Sequence, residues 1–399
     1  MDRSFPGFGV GALTDRRLRS ALAVEDLRVL ARKRLPRIVF EMIDRGIGDD
    51  LSLHENTAAF DRVRFRPRSL ADTRVVDLGV KVLGDDLDVP FLLAPCAYSR
   101  VCDPGAEVAI ARAAGRMGTA YVLPGGGSES LETVAAAAHG PLWYQHYLSV
   151  ERDTDERALA RAAAAGYRVL CISVDTPSRP FRQADFRNNL TLPVTLTPTL
   201  LAAGLSRPGW AVEILWGNTT GGFSATASRA AYANFSTVMD RLRPVLPDDI
   251  RWLREQWSGP IVAKGVLRGD EIEQFVDLGV DGVVVSNHGG RNLDGARSTL
   301  ESLPQIAEAV DGRMEVLLDG GVRHGADIVK AVALGANACL IGRAHLYGLA
   351  AGGEAGVGRV IELLRNEVAQ TMTFLGARRV QDIDSSLVDA RLLAGPVPM

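Results

Sequence analysis

The sequence predicts an α/β protein of the (β/α)8 TIM-barrel class, with an N-terminal helical extension and a long insertion after the fourth strand. Three observations lead there. From residue 89 onward eight short apolar runs follow one another. Ala-rich amphipathic stretches separate them, several closed by the glycine typical of a helix stop. No GxGxxG follows the first run, where an open dinucleotide-binding sheet, the rival architecture, would place its tight phosphate turn.

In order, the strand-like runs are "VPFLLA" from Val89, "AYVL" from Ala120, "LWYQ" from Leu142 and "VLCISV" from Val169. "PIVA" from Pro260, "GVVVS" from Gly282, "EVLLD" from Glu315 and "ACLIG" from Ala338 complete the set, and eight parallel strands close a barrel. Between them the helical stretches are "AEVAIARAAGRMG", "ERALARAAAAG", "DDIRWLREQW", "GDEIEQFVDLG", "SLPQIAEAV" and "GADIVKAVALGA". Residues 176–247 break the rhythm, and a connection that long inside a domain marks a lid or a segment without fixed order. Its Trp210 and Trp216 are expected to cover either the pocket or a neighbouring subunit. Residues 1–88, with "DLRVLARKRLPRIVFEMIDRG" and "RVRFRPRSL", are expected to pack on the barrel's amino-end face, and the whole chain, 1–399, reads as one domain.

Composition removes several classes of function. At 399 residues with 47% hydrophobic and 23% charged residues the chain can bury a large core. A net charge of −3, from 45 basic and 48 acidic residues without a basic block, argues against nucleic acid. Cys96, Cys102, Cys171 and Cys339 form no CxxC, and Cys96, Cys171 and Cys339 sit in apolar runs as small hydrophobes, which suits a reducing, cytoplasmic setting. No signal peptide and no spanning run of 18 apolar residues is evident, so neither export nor a membrane partner is expected. No HxxxH or HExxH suggests a metal, and His146, His324 and His345 read as structural or surface residues.

In such a barrel the active site lies at the carboxyl ends of the strands, where the sequence places a set of polar residues. Strand three leads to Gln145 and Tyr147, strand four to Ser173, Asp175 and Arg182, and strand five to Lys264. Strand six opens into "SNHGGRNLDG", with Ser286, His288 and Arg291, while strands seven and eight lead to "DGGVRHG" and "IGR". A core strand needs none of these, and a lysine ending a buried strand is costly unless used.

This set resembles the FMN-dependent α-hydroxy acid oxidases and dehydrogenases, the family of glycolate oxidase, lactate oxidase and mandelate dehydrogenase. The likeness runs from "RKRLPRIVFEMIDRG" to "TMTFLGARRVQDI", and "SNHGGRNLD" together with "DGGVRHGADIVKAVALGA" is its specific core. It implies a barrel that binds FMN and oxidises a small-molecule (S)-2-hydroxy acid to the 2-oxo acid, with oxygen or another acceptor taking the electrons onward. A homotetramer is implied as well.

The residue chemistry agrees with that implication. His288 has the near-neutral basicity needed to take a Cα proton, and Asp175 would orient its ring and stabilise the imidazolium. Arg291 and Arg182 offer forked donors to a carboxylate, and Tyr147 would bond the substrate oxygen at the carbon being oxidised. Lys264 would face the flavin edge that becomes negative on reduction, with Gln145, Ser173 and Ser286 at other ring edges. Pro95 and Ala97 of "APCA" would lie along the flavin face. The phosphate would sit after strands seven and eight, on Asp319, Gly320, Gly321, Arg323, Gly342 and Arg343.

Two departures from the family bear on the substrate. Met42 stands where the short-chain oxidases carry an aromatic hydroxyl that touches the substrate carboxylate. Pro124 and the glycines Gly125 to Gly127 replace hydroxyl residues, and the reading expects open space there. Lost hydroxyls and added room point to an aryl or long-chain 2-hydroxy acid. The alternatives are oxidative deamination of an amine or lactam, as in mycofactocin maturation, and a non-redox flavin-dependent isomerase. Arg291 favours a carboxylate substrate over the first, and the His288, Arg291 and Arg182 set disfavours the second.

Overall fold

A computed structural model describes residues 12–188, 198–220 and 242–391. Eight parallel strands form a closed barrel: β1 (Phe91–Leu93), β2 (Tyr121–Leu123), β3 (Leu142–His146), β4 (Val169–Ser173), β5 (Ile261–Val266), β6 (Gly282–Val285), β7 (Glu315–Leu318) and β8 (Ala338–Ile341). Each strand pairs with its sequence neighbours, and β8 closes on β1 through Cys339, Leu340 and Ile341 against Phe91, Leu92 and Leu93. Strands buried on both faces read as continuous apolar runs, which is why all eight are legible as such. All four residues of β6 and of β8 are buried.

The extension behaves differently from the expectation that it lies on the amino-end face. Its hairpin, Val80–Val82 with Asp85–Leu87, is there: Asp85 accepts from the Trp143 indole at the start of β3 and pairs with Arg168 just before β4. The helical prelude is split by Pro36, whose missing N–H cannot continue a helix, into Val24–Arg34 and Arg37–Asp44. Arg28 clasps Asp44 through two hydrogen bonds of 2.7 Å and folds the second helix back. That helix brings Met42 and Ile43 to the opposite, carboxyl end of the barrel.

Helix Leu51–Arg62 is tied to the loop after β6 by reciprocal 2.8 Å amide bonds between Asn56 and Asn287. The last long helix, Arg343–Leu375, bends at Gly352 and Gly353 and packs on Val24–Arg34. Near the chain's end Val388–Asp389 pairs antiparallel with Arg64–Phe65 and ties the tail to the extension.

Within the long insertion the structure shows helices Gln183–Arg187, Pro198–Ser206 and Pro208–Thr220. Trp210 is buried and donates to the Val101 carbonyl at 2.8 Å, and it is not among the cavity-lining residues. The side chain of Trp216, and the covering role expected of residues 189–197 and 221–241, lie outside the described residues. Cys171 and Cys339 are buried strand residues as expected. Cys96 is not: it lies past the end of β1, on the cavity wall, where burial pushes its thiol up to about 12.

Candidate active site

Beyond β6 the chain turns sharply. His288, Gly289 and Gly290 all adopt left-handed backbone, with φ of 57°, 64° and 72°. A Cβ on Gly290 would lie 2.6 Å from the backbone nitrogen of Leu53, so only glycine lets the turn rest on the extension. For His288 this backbone is strained, by roughly 1–3 kcal/mol. The Ser286 hydroxyl accepts from its N–H at 3.0 Å and supports the turn.

His288 points Nδ1 at the Asp175 carboxylate, 3.2 Å from each oxygen, and Nε2 at the Tyr147 hydroxyl, 3.4 Å away. An ionised carboxylate only accepts, so Nδ1 carries the proton and the neutral ring keeps its lone pair at Nε2. Burial raises the basicity of Asp175, but the charge His288 carries when protonated and its hydrogen bond, with help from Lys264 and Thr176, hold it below the ordinary carboxylate range. Burial, reinforced by the Asp175 charge, pushes the Tyr147 phenol up, so it stays a neutral donor.

Gly265, in a β-bulge of β5, explains how Asp175 fits. Its φ is 112°, and a Cβ there would come within 2.5 Å of the Asp175 side chain. One residue earlier, Lys264 is buried and places Nζ 2.7 Å from Asp319 and 2.9 Å from Ser286 Oγ. Desolvation alone would lower the lysine's pKa, yet the charges of Asp319 and Asp175 outweigh it and keep the ammonium charged. Gln145 donates to Ser173 at 3.2 Å and accepts from the Gly125 N–H at 3.2 Å.

At the ends of β7 and β8 the backbone forms a cradle. Gly320 and Gly321 have φ of 90° and 87°, and a Cβ on Gly321 would fall 2.0 Å from the Asn56 carbonyl oxygen. Arg323 lies over the Tyr347 ring at 5.9 Å and Arg343 opens the long helix. Burial lowers the Arg343 pKa, so a neighbouring anion would stabilise its charge. Arg343 is braced by carbonyls of Ile43 and Gly289, and Arg291 by those of Met42 and Arg45. Arg182 lies 3.5 Å from Asp185, with its Nε making no hydrogen bond among the described residues.

These groups surround one cavity of about 1140 Å³, its open mouth included. Its wall contains His288, Tyr147, Arg182, Arg291, Lys264 and Gln145 on one count, and Asp319, Gly320, Gly321, Arg323, Gly342 and Arg343 on the other. Met42, Pro95, Ala97 and Pro124 also reach it. Asp175, Ser173 and Ser286 do not line it; they stand behind His288, Gln145 and Lys264 respectively. Gly125 is a correction: Gly126 lines the cavity instead, and a Cβ on Gly125 would meet the Gln145 carbonyl at 2.8 Å. That glycine serves close packing, not open space.

Sequence reasoning missed Cys96, Tyr98, Thr176, Pro180 and Asn292 on the wall. Asn292 sat in plain view inside "SNHGGRNLDG", four residues past the histidine. Tyr98 carried no signal, since its left-handed φ of 71° is a tertiary fact. Of the other histidines, His146 bonds Asp155 at 3.0 Å and His345 is fully buried against the Ile341 carbonyl, while His54, His139 and His324 are exposed. Among the described residues no group of three or more metal-ligating side chains exists.

Fold and site define a (β/α)8 barrel with an imidazole, a phenol, a buried ammonium and several guanidinium groups around one cavity. Comparison places it further. Residues 31–390 match the family model described as FMN-dependent dehydrogenase. The chain is 41% identical to an L-lactate oxidase of Nostoc sp. over 90% of this chain and 95% of that one. It is 36% identical to the human 2-hydroxyacid oxidase 1, over 94% and 98%. Among solved structures, the monotopic membrane protein (S)-mandelate dehydrogenase superposes with a TM-score of 0.86, at 32% identity over 93% of this chain and 100% of that one. The chain belongs to the FMN-dependent dehydrogenase family, and its cofactor is FMN.

The residues present suit that cofactor. A buried ammonium at Lys264, left-handed glycines at Gly320 and Gly321 that leave the wall without side chains, and two arginines match an anionic, phosphate-bearing ring system. Asp319 Oδ1, buried without a hydrogen-bond partner among the described residues, is a further polar atom at the same wall.

Proposed function

We propose that the protein oxidises an aryl or long-chain (S)-2-hydroxy acid to the 2-oxo acid. FMN-dependent 2-hydroxy acid oxidation is the chemistry of the relatives found, and the finer substrate class rests on one observation: Met42, Pro124 and Gly126 line the cavity without a hydroxyl among them. Arg291 and Arg182 bind the substrate carboxylate, and Tyr147 donates to the oxygen on Cα. His288 Nε2 takes the proton as the Cα–H bond breaks, and Asp175 holds the imidazolium that results. FMN, when bound, would take up the two electrons that leave the carbon together with the proton released from the hydroxyl. Lys264 supplies positive charge next to Ser286 and Asp319. Oxygen or another acceptor then takes the electrons.

A cytoplasmic homotetramer acting on a soluble substrate completes the proposal. Among the described residues no helix is long and apolar enough to cross a membrane. The test is the anaerobic visible spectrum of the purified protein with glycolate, lactate, long-chain and aryl 2-hydroxy acids. Bleaching of the yellow band at lower concentrations of the aryl or long-chain acids supports the reading, and preference for glycolate overturns it. If none bleaches it while an amine or lactam does, with ammonia released, the protein is a deaminase. Admission of air then distinguishes an oxidase, by recolouring with peroxide, from a dehydrogenase.

A further inference from the structure

We infer that Thr176 and Asn292 are positioning residues for proton abstraction, acting on Asp175 through a hydrogen-bond chain of fixed direction. The inference rests on the assignment of His288 as the base made above. Asn292 Nδ2 lies 3.0 Å from the Asp175 backbone carbonyl and 3.0 Å from Thr176 Oγ1. A carbonyl can only accept, so the amide nitrogen of Asn292 faces both partners and donates to each. Thr176 Oγ1 is thereby an acceptor from Asn292, and its single proton goes to Asp175 Oδ1, 3.1 Å away. Asp175 in turn accepts from His288 Nδ1, and Nε2 faces the cavity beside Tyr147.

Every proton in the chain thus points toward the carboxylate. Two consequences follow. Donation from Thr176 makes Asp175 a poorer base, so the shared proton stays on Nδ1 and Nε2 remains the site that takes a proton from carbon. It also fixes the carboxylate plane, since Nδ1 is equidistant at 3.2 Å from both oxygens and would not by itself choose between rotations. Asn292 lies four residues past His288, so the chain also clamps the β6 loop to the segment after β4. The other groups facing this pair are Lys264 from β5, which acts on Asp175, and Tyr147 from the β3 end. Arg182 and Arg291 lie on the same cavity wall, and Asp319 is paired with Lys264.

Without the Thr176 hydroxyl, Asp175 becomes a stronger base and holds an imidazolium more tightly. His288 then keeps its proton to higher pH. In Thr176→Val the acid limb of the pH profile for anaerobic flavin reduction moves up by roughly 0.5–1 unit, less than the roughly one to two units that a hydrogen bond to a charged group is worth, because His288 feels the loss only through Asp175. Its plateau rate falls roughly tenfold as the carboxylate loses its fixed plane. Thr176→Ser restores most of both, and Asn292→Ala shifts the limb in the same direction by less.

Bound FMN per chain checks that each variant folds. A second readout needs no substrate: the titration of His288 in resting holoenzyme, followed by NMR with 13C-labelled histidine and assigned by its loss in His288→Gln. An upward shift in Thr176→Val with recovery in Thr176→Ser supports the chain. A Thr176→Val protein that titrates as the parent does and loses less than twofold in rate overturns it, as does a serine variant as defective as the valine one. A parent not reduced by any 2-hydroxy acid would remove the proposed substrate class instead, and the NMR titration would still decide the hydrogen-bond chain.

Discussion

In the proposed reaction His288 carries the proton transfer, because its tautomer is set by Asp175 on one side and its other nitrogen faces Tyr147. His288→Gln keeps a polar group of similar length and removes the base. The expected result is a fall of about 10²–10⁴-fold in the rate of anaerobic flavin reduction, measured by stopped flow, with FMN content unchanged. A loss smaller than tenfold would assign the proton to another group. His288, Arg291, Arg182 and Lys264 were visible because they follow barrel strands within motifs that resemble the family, which outweighed the alternatives of a structural histidine or a surface ion pair. Asp175 was found as a partner for the histidine, but that it stands behind the cavity wall required the geometry.

Strands and loops place these side chains with glycines whose roles differ. Gly265 in β5 gives Asp175 its room, and a Cβ there would press within 2.5 Å of that carboxylate's carbons. Gly295, also left-handed at φ 74°, has nothing within 4 Å of such an atom. Gly265→Ala is therefore expected to displace Asp175 and lower the rate of flavin reduction by at least tenfold, with reduced thermal stability. Gly295→Ala should lose only the left-handed strain of about 1–2 kcal/mol and keep its rate; equal effects of the two, by stopped flow and thermal melts, would contradict the assignment. Both glycines look alike in the sequence. Eight strands were legible because parallel barrel strands are apolar along their length, whereas Met42's arrival at the carboxyl end depends on Pro36 and the Arg28 clasp on Asp44.

Across the whole molecule, stability is coupled to pH through a buried histidine outside the chemistry. Burial holds His345 at about 4, well below its unfolded value near 6.5. The folded state therefore resists a proton that the unfolded chain accepts, so stability present above pH 6.5 is lost as pH falls toward 4. The loss is about 3 kcal/mol from this group. Urea denaturation at pH 7 and pH 5 should show a smaller pH-dependent loss for His345→Asn, whose amide can still donate to the Ile341 carbonyl. An unchanged difference would mean that other groups govern acid stability.

The sequence by itself determined the barrel, because apolar runs record burial, and its resemblance in "SNHGGRNLD" and "DGGVRHGADIVKAVALGA" pointed to the FMN family; the charged residues it singled out at the strands' carboxyl ends meet around one cavity. The tertiary structure alone decided what lies behind those residues. Asn56 shows why: from the extension it bonds Asn287 beside the catalytic turn and also forbids any side chain at Gly321 in the cradle. The separations between these residues carry no local pattern. Closing such distances is the work of packing and of directional hydrogen bonds, which also set the course of the Asn292, Thr176 and Asp175 chain and the seat of Gly125 against Gln145.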